Sequence, residues 1–309
     1  MHLEPRELPF APGPGQVRVR HACMGVNFID IYNRSGLYAQ ALPFVPGQEA
    51  AGTVVAVGAG VAELAPGARV AYAGALGAYA DVRDVPADRV VALPDSVPFP
   101  AAAALMLKGM TAHMLLHQVT RVQPGDTVLV LAAAGGVGQL LTAWANALGA
   151  RVIAGVGSAG KADLARSRGA SDVVVYGAEP LAERVRALTA GRGVDVAYDS
   201  VGQATFAASL DCVRPRGLVV SFGQSSGKIP PLEVSALQQR GCLYLTRPSL
   251  HVYTHTRAEL VATSSALFAA IAAGILPVAI AGRYPLAEAA RAHADLESRR
   301  TTGALLLEP

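Results

Sequence analysis

The amino-acid sequence predicts an α/β protein with two domains, a β-rich barrel and a doubly wound parallel sheet. The chain has 309 residues, 52% hydrophobic and 16% charged, and at about 150 residues per domain this length suits two compact domains. Short strands separated by glycine and proline fill the N-terminal part. Strands that alternate with helices follow them. These two patterns set the fold class.

The β-rich part runs from Gln16 to about Ala92. Its strand-forming runs are QVRVRHAC, EAAGTVVAVG, ARVAYAG, AYADVRDV and DRVVALP. Brief strands between Gly/Pro turns are typical of an antiparallel barrel. The next segment, PFPAAAALMLKGMTAHMLLHQ, predicts one or two buried helices.

The central part alternates strands with helices. TVLVLAA precedes GGVGQLLTAWANALGA, RVIAGVG precedes GKADLARSRG, and SDVVVYG precedes EPLAERVRALTA; VDVAYDS, GLVVSFG and CLYLTRP are further strands. Continuous apolar strands joined by helical crossovers predict a parallel sheet with helices on both faces.

The tail, residues 257–309, contains two helices and two strands. These elements are too few to close a core of their own, so we expect them to return and complete the first domain. The predicted domains are therefore residues 1–108 with 251–309, and residues 109–250 between them.

Charge and cysteine content exclude several classes of protein. A net charge of +3 is too small for the basic stripe on which nucleic-acid affinity depends. Cys23, Cys212 and Cys242 are far apart and form no CxxC pair, which disfavours a disulfide framework or a structural zinc. We expect Cys212 and Cys242 to be buried packing residues.

No membrane segment or leader is expected. The N-terminal residues have no apolar core of signal-peptide length, and later runs such as AAAALMLKGM are too short or interrupted to span a bilayer. The prediction is a soluble cytoplasmic protein with no membrane partner.

A glycine-rich loop lies between the first strand and first helix of the central part. Residues 133–138, AAGGVG, match the G-x-G-x-x-G/A dinucleotide fingerprint with alanine at its first position. Small residues let the backbone approach a pyrophosphate, and the helix N-terminus supplies free N–H groups. The alternative is a glycine turn in an α/β domain that binds nothing.

The following strand indicates which dinucleotide is bound. An NAD site usually ends this strand with Asp or Glu, but here it ends in Gly157 and Ser158, with Lys161 three residues on. A hydroxyl and a cation suit a 2′-phosphate, which favours NADP(H), and Tyr176 ends the third strand nearby. Lysine is rare, with Lys108, Lys161 and Lys228 the only three among 26 basic residues. The alternative for Lys161 is a solvated residue at a helix start.

Long segments of the chain carry a family resemblance. They are GVNFIDIYNRSGLY, PGQEAAGTVVAVGAGV, LKGMTAH, AAAGGVG, YDSVG, SFGQSSG, LYLTRPSL, YPL and LESR. In these the sequence resembles the quinone oxidoreductases of the zeta-crystallin-like branch of the medium-chain dehydrogenase/reductase superfamily. The resemblance implies a GroES-like β-rich domain and a Rossmann domain that binds NADPH. The family usually begins with one more strand, before the equivalent of Leu3 to Pro9.

The resemblance also implies site residues. Those beside the nicotinamide and its ribose are Asn27, Asp30 and Tyr32. Those at the pyrophosphate are Thr111, Gly135, Gly136 and Val137. Those at the 2′-phosphate are Ser158, Lys161, Tyr176 and Arg299, and those after later strands are Ser200, Phe222, Gly223, Gln224 and Ser225. Lys108 begins the family's KG-x-T run, and we expect it near the cleft without assigning it a role.

The chemistry expected is hydride transfer without a metal. Zinc-dependent alcohol dehydrogenases of the superfamily have cysteine where this chain has Asn27, and G-H-E where it has Gly47-Gln48-Glu49, so a catalytic zinc would lack two ligands. Reduced nicotinamide supplies the hydride, and the protein orients the acceptor. Asn27 could donate to a quinone oxygen, and Tyr32 and Tyr38 could position a flat ring. No general acid is assigned.

Three functions are compared. The first is NADPH-dependent reduction of quinones, by hydride or electron transfer. The second is reduction of an enone or 2-alkenal in the same cleft. The third is a non-catalytic role, RNA-binding or crystallin-like, which the low charge disfavours. The apolar edge strand GCLYLTRPSL predicts a homodimer that pairs across a two-fold axis.

Overall fold

The structure, a computed structural model, describes residues 1, 4, 5, 7–298 and 300–309. The chain divides into two compact units. The first unit is Met1–Met110, Tyr253–Gly274 and Val278–Pro309, and the second is Thr111–Val252 with Ile275–Pro277. The domain boundaries given above stay a prediction.

Strands and helices follow the order that the sequence patterns indicate. The strands are β1 Gln16–Val26, β2 Glu49–Val57, β3 Arg69–Ala73, β4 Val82–Pro86, β5 Val90–Ala92, β6 Thr127–Leu131, β7 Arg151–Val156, β8 Asp172–Val175, β9 Val194–Asp199, β10 Val213–Ser221, β11 Tyr244–Thr246, β12 Ile280–Pro285 and β13 Ala304–Glu308. The α-helices are α1 Phe28–Arg34, α2 Phe99–His113, α3 Gly136–Ala147, α4 Ala162–Ser167, α5 Leu181–Leu188, α6 Phe206–Cys212, α7 Ser235–Gln239, α8 Leu250–Tyr253, α9 Arg257–Ala272 and α10 Ala289–Glu297.

The first unit contains a seven-stranded sheet in the order β12-β13-β1-β2-β3-β5, with β4 also paired to β1. Strand β13 pairs antiparallel with β1, Leu307 opposite Met24, so the tail completes this sheet as predicted. Register shifts in the β1–β2 ladder, one between Arg18 and Val19, bend the long β1. The bend lets one strand pair with β4 along one stretch and with β13 along another.

The segment after β5 forms one continuous helical stretch. Helix α2 continues without a break into a π-helical turn, Met114–Val119. The 21 residues Phe99–Val119 are long and apolar enough to cross a membrane by length and composition alone, so the expectation that this run is too short was wrong. In this protein 72% of the most apolar 18-residue part of this stretch is buried inside the fold. Burial in the protein core accounts for its apolar composition.

The second unit contains a six-stranded sheet in the order β11-β10-β9-β6-β7-β8. Every pairing in it is parallel, as the continuous apolar strands predict. The central strand β6 is buried along its whole length. All six strands therefore end at one edge of the sheet, and α3 begins there.

The cysteines differ from expectation at one position. Cys23 and Cys212 are buried, and burial raises the pKa of the Cys23 thiol to about 11 and that of Cys212 to about 12. Cys242 is exposed, so its predicted burial was wrong. It lies in the turn before β11 with a φ of 57°, and such a turn directs its side chain away from the sheet.

Candidate cofactor and substrate site

The glycine loop forms a tight turn between β6 and α3. The Gly135 N–H donates to the Ala132 carbonyl over 2.7 Å, and Gly135 is the N-cap of α3. A Cβ on Gly138 would lie 2.2 Å from the Ala132 oxygen and 2.8 Å from the Ala133 Cα. A Cβ on Gly135 would meet the same oxygen at 3.0 Å. Gly138 therefore permits strand–helix packing, whereas Gly135 keeps the loop surface open at a helix N-terminus, where a pyrophosphate fits.

The end of β7 brings three predicted site residues into one region. Ser158 is exposed, and its carbonyl accepts from the Lys161 N–H over 3.1 Å. The Tyr176 hydroxyl would lie 3.4 Å from a Cβ on Gly157. The hydroxyl of Ser158, the ammonium of Lys161 and the phenol of Tyr176 thus belong to adjoining loops, and the two residues that directly follow β7, Gly157 and Ser158, are not acidic. The fourth predicted member, Arg299, lies outside the described residues.

Asp199 holds the loop after β9. Its fully buried carboxylate accepts from the Val201 and Gly202 N–H groups over 2.8 and 3.0 Å, and from two hydroxyls, Thr205 and Ser209. Sequence reasoning missed this anchor, although it belongs to the quoted YDSVG segment. Beside it, a Cβ on Gly223 would meet the Ser200 carbonyl at 2.7 Å.

The loop after β10 adjoins the one that Asp199 holds. The Ser225 N–H donates to the Ser200 carbonyl over 3.3 Å. The stretch Phe222–Ser225 and Ser200 therefore meet at the carboxyl edge of the sheet, as predicted for residues that follow neighbouring parallel strands. Thr111 lies in α2 and is half-buried.

A buried polar cluster lies in the first unit around Glu49, at the start of β2. Glu49 Oε1 accepts from Asn27 Nδ2 over 2.7 Å and from Lys108 Nζ over 2.8 Å. Glu49 Oε2 accepts from the Leu107 N–H over 2.6 Å. The amide nitrogen of Asn27 is therefore engaged by Glu49, and this carboxylate is a partner that the sequence did not reveal.

A second buried chain of hydrogen bonds starts at Asp30 in α1. Arg34 can only donate, so His293 Nδ1 accepts from it, over 3.3 Å, and Nε2 carries the proton. His293 Nε2 donates to the Tyr79 hydroxyl over 3.0 Å, which donates to Asp30 Oδ2 over 3.1 Å. Burial raises the pKa of Asp30 to about 7. Sequence reasoning selected Asp30 but found no signal for Tyr79 or His293.

The two tyrosines proposed to position a substrate contact each other. Their ring centroids are 5.2 Å apart in an edge-to-face arrangement, and the Tyr38 N–H donates to the Tyr32 carbonyl over 3.0 Å. Tyr32 is buried and Tyr38 half-buried. The pair forms a small aromatic cluster at α1, which contains Tyr32.

Comparison with known proteins identifies the family. The model of the alcohol dehydrogenase GroES-like domain matches residues 13–95, and that of the zinc-binding dehydrogenases matches residues 136–260. A quinone oxidoreductase of Pseudomonas aeruginosa is 49% identical over 303 residues, 97% of this chain and 93% of that protein. The chain belongs to the quinone oxidoreductase family.

Two further members of this oxidoreductase superfamily are informative. The crystal structure of Escherichia coli quinone oxidoreductase complexed with NADPH is 47% identical, covers 98% of this chain and 94% of its own, and superimposes with a TM-score of 0.96. A 2-haloacrylate reductase of Burkholderia is 45% identical over 97% of this chain and 92% of its own length. The fold is thus a GroES-like domain with a Rossmann domain.

One of the two matching family models is described as a zinc-binding dehydrogenase. The side chains around Glu49 in this chain do not form a set of ligands that fits zinc. Asn27 and Lys108 direct an amide N–H and an ammonium at Glu49, whereas zinc needs deprotonated sulfur, imidazole or carboxylate ligands. Within the part of the chain that the structure describes, no three His, Cys, Asp or Glu side chains form a group that could hold a metal.

Proposed function

We propose that this protein is a cytoplasmic, zinc-independent oxidoreductase that uses NADPH to reduce quinones. The observation that carries the proposal is the near-complete structural match to an NADPH-bound quinone oxidoreductase, with a TM-score of 0.96. The open glycine loop and the carboxylate-free end of β7 support the choice of NADPH.

NADPH would be held by the residues that the family resemblance implies. Gly135, Gly136, Val137 and Thr111 bind its pyrophosphate region. Ser158, Lys161, Tyr176 and Arg299 bind the 2′-phosphate. Asn27, Asp30, Tyr32, Ser200, Phe222, Gly223, Gln224 and Ser225 line the rest of the cofactor site. When bound, the nicotinamide supplies hydride or electrons.

The chain's own residues orient the acceptor. The edge-to-face rings of Tyr32 and Tyr38 offer an aromatic surface against which a flat quinone packs. The buried hydrogen bond from Asn27 to Glu49 fixes the Asn27 side chain at the start of α1. No residue is assigned as a general acid, because solvent protonates a quinol oxyanion.

Reduction of an activated C=C bond is the second candidate, because a 2-haloacrylate reductase is 45% identical over nearly the whole chain. Stopped-flow oxidation of bound NADPH by 1,4-benzoquinone, a naphthoquinone and short enals ranks the two reactions. We expect quinones to react fastest. Failure of every quinone to turn over would contradict the proposal, and rapid reaction with enals alone would favour the alternative.

We expect Lys161→Ala to weaken NADPH binding by about tenfold to a hundredfold, since a charge-assisted hydrogen bond contributes about 1.5–3 kcal/mol. NADH, which lacks the 2′-phosphate, should bind as before. Fluorescence titration measures both affinities. Lys228→Ala is the matched control, because Lys228 is an exposed lysine outside the proposed pocket. Equal losses for NADPH and NADH would remove Lys161 from the phosphate site.

The protein is further proposed to be a homodimer that pairs through β11, with no nucleic-acid or membrane partner. Tyr244 and Leu245 on this edge strand are 64% and 37% exposed, and an apolar edge is suited to pairing with its own copy. Sedimentation velocity tests the state directly, and a monomer at micromolar concentration would contradict it.

A further inference from the structure

Lys108 and Glu49 form a buried ion pair in the first unit. The Lys108 side chain is 9% exposed and that of Glu49 is 0% exposed, with Nζ 2.8 Å from Oε1. Solvent or a ligand can therefore reach this pair only from the lysine side. The carboxyl group of Asp30, buried in α1, interacts electrostatically with both members of the pair.

Glu49 makes more of the described hydrogen bonds in this cluster than Lys108 does. Glu49 accepts from three donors, on Asn27, Leu107 and Lys108. An ammonium has three N–H donors, and the described contacts of Lys108 supply one acceptor, Glu49 Oε1. The remaining N–H groups of Lys108 lie on the side from which solvent or a ligand reaches the pair. They are therefore available to donate to an oxygen of a bound ligand.

The surrounding backbone is shaped for this pair. A Cβ on Gly25 would lie 2.1 Å from Glu49 Oε1 and 2.4 Å from the Ala103 carbonyl. Because only glycine fits there, Glu49 can reach across β1 to α2 and fix the ammonium. The lysine is thus held by a built site, and its charge is not a solvated surface charge.

We propose that Lys108 is a catalytic residue whose ammonium donates a hydrogen bond to the quinone oxygen that gains negative charge during reduction. The inference rests on the proposed function. NADPH contributes a hydride, which is two electrons and one proton, to the quinone, and solvent contributes the second proton. Lys108 keeps all its protons and stabilises the oxyanion electrostatically, as a fixed donor in a dry site does.

The test separates this role from simple neutralisation of Glu49. Lys108→Met alone leaves a buried carboxylate unpaired, which destabilises the protein. The double variant Lys108→Met/Glu49→Gln removes both charges and keeps a side chain that can hydrogen-bond to Asn27. We expect the double variant to fold and bind NADPH with unchanged affinity, but to reduce quinones with a kcat about a hundredfold below wild type.

Glu49→Gln alone is the reference, because it keeps Lys108 and offers it an amide oxygen in place of the carboxylate. Urea unfolding and NADPH titration first check that this variant is folded, since it loses the counter-charge of a buried lysine. Lys228→Met controls for loss of a lysine. If the double variant is as active as Glu49→Gln, Lys108 only balances Glu49 and the proposal is overturned. A series of quinones adds a second readout. The loss of kcat in the double variant, relative to Glu49→Gln, should grow with the basicity of the quinol oxyanion, and a uniform loss contradicts direct contact. Wild-type protein that reduces no quinone would instead refute the proposed function.

Discussion

Gly138→Ala should destabilise the second unit by about 3 kcal/mol, the upper range for inserting a methyl group into a packed site. Its Cβ would meet the Ala132 carbonyl at 2.2 Å and the Ala133 Cα at 2.8 Å. Both contacts are backbone atoms of the β6–α3 turn, which no rotamer change can move. Relief therefore requires α3 to shift away from the sheet.

Gly135→Ala should have little effect on stability but should weaken NADPH binding. Gly135 has a φ of −80° and a ψ of 174°, which alanine adopts freely, and its Cβ would meet the Ala132 oxygen at 3.0 Å. The fold should tolerate it, but the methyl group would occupy space that the pyrophosphate needs. We expect NADPH affinity to fall roughly tenfold or more, equivalent to at least about 1.4 kcal/mol.

Urea unfolding monitored by Trp144 fluorescence distinguishes the two variants. Trp144 is the chain's only tryptophan, and it is buried in α3 within the affected unit. NADPH titration supplies the second measurement. Equal unfolding midpoints for wild type and Gly138→Ala would show that α3 repacks at no cost, and unchanged affinity in Gly135→Ala would place the pyrophosphate elsewhere.

Local patterns made most of the fold predictable. Strand–helix alternation in the second unit predicts parallel pairing, because a short crossover of fixed hand permits no other arrangement. The return of the tail follows from the lack of a core in residues 257–309, and β13 pairs with β1 accordingly. The exposure of Cys242 was not predictable, because one backbone angle in a turn decides it.

Apart from the family resemblance and the shared edge of parallel strands, the candidate site was predictable only where its members are neighbours in sequence. The glycine loop and Ser158–Lys161 each lie within one strand–helix junction. By contrast, the hydrogen bonds that Asn27 and Lys108 donate to Glu49 join residues 22 and 59 positions apart. Tyr79 and His293 are 214 positions apart. A single buried carboxylate leaves no periodic pattern in the sequence. Contacts between residues so far apart in sequence are therefore visible only in the folded structure. The rarity of lysine did mark Lys108, but not its partner.

Acid should destabilise the first unit strongly, because two of its buried histidines are held neutral. Burial lowers the pKa of both His21 and His293 from 6.5 to about 4. The His21 ring donates to the Ala80 carbonyl and accepts from the Tyr72 hydroxyl. Protonation of the second ring nitrogen would break the hydrogen bond that Tyr72 donates and would bury a positive charge. Between pH 6.5 and 4 these two histidines bind protons in the unfolded chain but stay neutral in the folded chain. The free energy of unfolding should therefore fall with pH by roughly 3 kcal/mol per histidine.

Asp30 opposes this trend, because its pKa is raised from 3.8 to about 7. Across that window the folded state holds a proton that the unfolded state lacks, so this group alone makes the protein more stable as pH falls. Asp30→Asn imitates the protonated acid and removes the opposing term. The variant should lose stability more steeply than wild type between pH 7 and 4, with one more proton taken up on unfolding. Hydrogen exchange of β1 and α10 peptides in urea at successive pH values measures the slopes. Parallel slopes would mean that Asp30 titrates normally and that Tyr79 and Asn27 fully offset its burial.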